Sequence, residues 1–177
     1  RAIRLNPTDT ASIERLATVR WESGVLAGVS DVEAVSSLMA IAATRAPRVP
    51  EIQADLGDLL LRMGRTDEAL PFMARALALS ASMTNRVVAT MTSAGLAPER
   101  VADALPQIPA VLIALKDRFL AAEQGTVFLD RVERDLQNAA PATLATYGEA
   151  CLQLQVPERL KKNLAQLEPV PDRPTMA

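Results

Sequence analysis

Residues 51–80, EIQADLGDLLLRMGRTDEALPFMARALALS, constrain the fold more than any other stretch of the chain. Leu56, Gly57 and Leu60 share one face of a helix, Gly64 breaks it, and Ala69, Met73 and Ala76 line one face of a second helix. Small residues at Gly57, Ala69 and Ala76 stand where two backbones must come close, so the stretch predicts two helices folded back on each other. The rest of the chain supplies the same material. Its 177 residues are 49% hydrophobic but only 3% aromatic, with Ala and Leu dominant, which favours helix-on-helix packing over a β-sandwich. The expected fold class is all-α.

The Leu56-Gly57 pair, the turn Gly64, the Glu68-Ala69 pair and the later Ala76 make this unit resemble a tetratricopeptide repeat, a helix-turn-helix of about 34 residues. The aromatics usual in that family are replaced by Gln53, Leu60 and Met73. The resemblance implies a right-handed α-α superhelix of antiparallel helix pairs over residues 8–167. In the same family a second helix commonly closes with Ala and, five residues on, Pro. Ala2 and Pro7 reproduce that spacing, so residues 1–7 are expected to be the end of a truncated upstream repeat. Residues 168–177, EPVPDRPTMA, carry three prolines and no periodicity and are expected to be disordered.

Prolines punctuate the chain between those limits. After Pro7, Thr8, Asp9 and Thr10 offer N-cap oxygens to a helix with Ile13, Leu16, Ala17 and Arg20 at helical spacing, ended by Gly24 and Gly28. Ser30 and Glu33 form a capping box for a second helix, closed by Pro47, with Val35, Leu38, Met39 and Ala42 inward. The separation of Pro7 and Pro47 exceeds one repeat, which predicts an insertion near residues 22–29. Pro50, Pro98, Pro109, Pro141 and Pro157 each precede a helical run, where a first-turn proline sacrifices no hydrogen bond. Helices are therefore expected over 84–94 (closed by Gly95), 98–105, 109–123 (stopped by Gly125), 126–138, 141–154 and 157–167. Their inward residues include Leu112, Leu115, Phe119 and Ala122, then Val127, Leu129, Val132 and Leu136, then Leu144, Tyr147, Gly148 and Cys151, then Leu160, Leu164 and Leu167.

Much chemistry is excluded. With no histidine and a single cysteine, Cys151, the chain has no ordinary zinc site, no Ser-His-Asp or Cys-His triad and no intrachain disulfide. Cys151 in a helical pattern reads as a small core residue. The net charge of −2, spread along the chain, gives no footprint for nucleic acid or an anionic membrane surface. Asp55 and Asp58 are a carboxylate pair at helical spacing, a pattern common on solvated helices, and no P-loop, nucleophile elbow or metal cluster accompanies them. The expectation is a noncatalytic, soluble fragment without cofactor or metal, its compartment left open.

In the family that the chain resembles, the first helices of successive pairs line the concave surface. That places Glu14, Thr18 and Trp21, then Glu51, Asp58 and Arg62, then Asn85 and Thr92, and finally Glu149, as partner-binding positions, against the plainer reading of each as a solvated polar residue. Chaperone-type members grip a peptide's terminal carboxylate with Lys and Asn. Acids at several such positions here would repel it, so the expected partner is a basic or mainly apolar protein segment. Trp21 reads either as core packing or as an anchor in the groove. Lys161-Lys162 reads as a solvated face. Residues 96–125, LAPERVADALPQIPAVLIALKDRFLAAEQG, also resemble degenerate repeats trailing the membrane-embedded part of bacterial O-antigen polymerases and ligases. That resemblance implies an alternative role as the soluble, noncatalytic tail of such an enzyme, recruiting partners or controlling product length. A third reading is self-association through the apolar side of Ile13, Leu16 and Val19.

Overall fold

The structure, a computed structural model, describes residues 9–29 and 31–165. The expectations resting on Ala2, Pro7, Thr8, Ser30, Leu167 and the tail lie outside those residues. Ten α-helices occupy the described chain: α1 (Thr10–Ala27), α2 (Val32–Arg45), α3 (Pro50–Arg62), α4 (Thr66–Leu79), α5 (Thr84–Ser93), α6 (Pro98–Ala104), α7 (Pro109–Ala121), α8 (Gly125–Glu133), α9 (Pro141–Gln153) and α10 (Pro157–Leu164). They divide between two compact units, Arg1–Pro106 with α1–α6 and Gln107–Ala177 with α7–α10.

One turn recurs in every sequential pair of helices. After α1, α3, α5, α7 and α9 the chain passes through a single left-handed residue: Gly28, Gly64, Gly95, Glu123 and Gln155. Each time, the next residue's N–H reaches back to a carbonyl near the helix end, as Arg65 does to Leu60, Leu96 to Met91, Gln124 to Phe119 and Val156 to Cys151. This is the bond that satisfies the orphan carbonyls of a helix C-terminus while reversing the chain. Prolines open α3, α6, α7, α9 and α10 at the first helical turn, as their spacing predicts.

In the first unit, α3 is the central helix. It packs most extensively on α4 and also meets α1, α2 and α5, so Ile52, Ala54, Leu56, Leu59, Leu60 and Leu61 are all buried. Gly57 lets α4 approach: a Cβ placed there would lie 3.0 Å from the Met73 side chain. Ala69, Met73 and Ala76 are buried on α4, as expected from the pattern. Gln53 is buried and donates its amide N–H to the Ala46 carbonyl, 3.0 Å away at the end of α2.

Three boundaries differ from expectation. Of the two glycines expected to end α1, Gly24 does not stop it; the helix runs on to Ala27 and is capped by Gly28. The cap of α2 is Asp31, whose carboxylate accepts the Ala34 N–H. Gly125 is the buried first residue of α8, where a Cβ would clash with Leu120 and Leu154, and the residue that ends the α7 turn is Glu123. In the second unit, Leu112, Leu115, Phe119, Leu129, Val132, Leu136, Tyr147 and Cys151 are buried as expected. Phe128 takes the fully buried place expected of Val127, which is half-buried, while Ala122 and Leu164 are exposed.

Candidate functional site

Because α3 is buried on most sides, its solvent face narrows to one stripe, Glu51, Asp55, Asp58 and Arg62, at helical spacing. The flanking helices bring their own stripes to it. From α1 come Glu14, Thr18 and Glu22. Arg62 bonds Asp58 within its own helix and donates an N–H to Glu22 at 3.0 Å across to α1. From α5, Arg86 pairs with Asp55. Thr18 donates to the Glu14 carboxylate at 3.0 Å. Burial pushes Glu14 above the usual carboxylate range, with the charge of Asp55 adding to the effect and the Thr18 bond opposing it.

Five carboxylates (Glu14, Glu22, Glu51, Asp55, Asp58) thus meet Arg62 and Arg86 on the α1-α3-α5 face, with Arg15 and Arg45 at its edge beside Glu14 and Glu51. The face carries a small excess of carboxylates and is cross-linked by ion pairs. Two clefts lie along it. One, of about 530 Å³, lies between the N-terminal halves of α1 and α3 and is lined by the acids Glu14, Glu51 and Asp55, the arginines Arg15 and Arg45, and the apolar Ala46, Val49 and Ile52. The other, of about 520 Å³, lies between α3 and α5, with Asp58 and Arg62 beside Leu61, Ala89 and Thr90.

Of the residues expected to bind a partner, Glu14, Thr18, Glu51, Asp58 and Arg62 are brought together here. Trp21 is half-buried on α1. Asn85 and Thr92 are exposed on α5, Thr92 turning its hydroxyl onto the Val88 carbonyl. Glu149 belongs to the second unit, on α9, where it accepts a 2.8 Å bond from the buried Lys116 ammonium. That hydrogen bond raises the Lys116 pKa. Sequence reasoning omitted Glu22, Asp55 and Arg86 from the face. Asp55 was legible, since it continues the Glu51-Asp58-Arg62 spacing, whereas Arg86 joins only through its pairing with α3.

The second unit carries a separate polar network. Tyr147, buried on α9, donates to Glu133 at 2.6 Å and accepts from the Asn163 amide at 2.7 Å. Arg159 of α10 grips Glu133 through bonds of 2.9 and 2.7 Å and also pairs with Asp130. Burial would raise Glu133, but the bonds from Arg159 and Tyr147 outweigh it and hold this carboxyl below its usual range. Burial, then the bond to Glu133, pushes Tyr147 well above the ordinary phenol value. Burial likewise raises the Cys151 thiol.

Among the described residues no three His, Cys, Asp or Glu side chains converge on a metal position, and no helix is long and apolar enough to cross a membrane. The chain matches no protein-family model and no curated protein.

Proposed function

We propose that this chain is a noncatalytic assembly scaffold of tetratricopeptide-like helix pairs, and that the α1-α3-α5 face of its first unit docks a cationic, extended segment of a partner protein. The observation that carries the reading is the acidic stripe of α3, flanked by acids of α1 and interrupted by apolar-floored clefts. Carboxylates in excess select the sign of the ligand, and the floors accept the aliphatic stems of Lys and Arg side chains. Support for the repeat architecture comes from the turn that recurs in all five pairs and from Gly57 and Gly148, each facing the second helix of its own pair. Exposed ion pairs are worth only ~0–1 kcal/mol each, so binding is modest and salt-sensitive.

The test is titration of the intact protein with an oligo-arginine peptide and an oligo-glutamate peptide. The double change Glu51→Lys with Asp58→Lys weakens the cationic peptide by about tenfold or more, equivalent to ~1.4 kcal/mol, with the far-ultraviolet helical signal unchanged. Preferential binding of oligo-glutamate by the unaltered protein contradicts the proposal.

A further inference from the structure

The second helices of four pairs are held by buried apolar side chains: Val35, Met39 and Ala42 on α2, Ala69, Met73 and Leu77 on α4, Val101 and Ala102 on α6, and Phe128, Leu129 and Val132 on α8. α10 has no buried residue. Its Leu160 is only half-buried, resting near Gly148, where an added Cβ would still stand 3.9 Å away, and Leu164 is 50% exposed. What holds α10 is polar: the Arg159 grip on Glu133 and Asp130 of α8, and the Asn163 bond to the Tyr147 hydroxyl of α9. It joins α9 through Gln155, a side-chain-bearing residue in the left-handed conformation that favours glycine. One turn on from Tyr147 along α9 is Cys151, fully buried, its thiol beside the Tyr147 hydroxyl.

We infer that α10 is a releasable strap, which lifts from α8 and α9 while α7–α9 stay folded and so uncovers the strip formed by Tyr147, Gly148 and Cys151. A segment with few buried apolar contacts opens at lower free energy than the core it covers. An attachment made of charges that solvent reaches, Asp130 most of all and Arg159 and Glu133 in part, is weakened by salt in a way that an apolar one is not.

Cys151 is the sole cysteine of the chain, so its reaction with a thiol reagent reports the opening in the intact protein. The rate is expected to rise about tenfold in Arg159→Gln, the equivalent of losing one charge-assisted contact of ~1.4 kcal/mol. In the unaltered protein it rises as salt goes from about 0.05 to 0.5 M, where the screening length falls from more than ~10 Å to less than ~8 Å, and it responds less in Arg159→Gln. The labelling rate depends on urea far more weakly than global unfolding followed by circular dichroism, because only a short helix is exposed. Amide exchange separates a local from a global effect: α10 protons exchange ahead of those of α8 and α9 in both proteins. Labelling with the full urea dependence of global unfolding, or exchange of α8, α9 and α10 together, overturns the inference.

Discussion

Gly57 and Gly148 each face the second helix of a pair, yet they tolerate an added methyl group differently. At Gly57 the new Cβ would stand 3.0 Å from three atoms of Met73, at the most extensive helix contact of the first unit. Overpacking costs ~1–3 kcal/mol, against a helix-propensity gain of at most ~1 kcal/mol, so Gly57→Ala should lower the thermal midpoint. At Gly148 the nearest atom is 3.9 Å away, and Gly148→Ala should raise stability by up to ~1 kcal/mol in the same measurement. The Leu-Gly pattern and its buried partners were legible in the sequence because they repeat at helical spacing. The role of Gln53 was not, since its partner is a carbonyl at the end of another helix. Nor was Phe128: the 3.6-residue period admits Val127 or Phe128 beside Leu129, and only the packing of α8 decides.

At the scale of the element, the five left-handed turns divide by residue type. Gly28, Gly64 and Gly95 serve the first unit, and Glu123 and Gln155 serve the second. A Cβ in this conformation costs roughly 1–2 kcal/mol. Gly64→Ala should therefore destabilise the first unit by about that amount, although a Cβ there meets nothing within 4 Å. Glu123→Gly and Gln155→Gly should each stabilise the second unit by up to ~1 kcal/mol in urea melts, the gain reduced by the greater freedom of glycine in the unfolded chain. Helix starts were readable from the prolines, and glycine marked the stops of α3 and α5. After α7 and α9 no glycine signals the left-handed residue, which is why Gly125, two positions late, was expected to be the stop. Gly24 misled for the converse reason, since a lone glycine is tolerated within a helix that has tertiary support.

For the whole molecule, charge that nearly cancels conceals two opposite carboxylates. Glu133 has a depressed pKa, so its contribution is present above the ordinary carboxylate range and is lost as pH falls through its folded-state value. Glu14 has a raised pKa, so ionising it costs stability at neutral pH, and that cost disappears once pH falls below the unfolded value. The sole tryptophan, Trp21, lies in the first unit and the sole tyrosine, Tyr147, in the second, which gives each unit its own fluorescence probe. Glu14→Gln should raise the neutral-pH denaturation midpoint seen by Trp21. Glu133→Gln should lower the unfolding free energy reported by Tyr147 at neutral pH by ~1–3 kcal/mol and flatten its acid limb. Neither behaviour could be read from the sequence, because the burial of Glu14 and the partners of Glu133 arise from packing between separate helices. The self-closed turns bear on how such a chain changes length. Each completes its hydrogen bonds locally, and at Gly28, Gly64 and Gly95 the space beside the backbone is open. Residues added there extend the hairpin tips, as the long α1 already does, and leave the packed flanks in register. Those tips are the natural splice points for grafting a foreign peptide or a fluorescent tag.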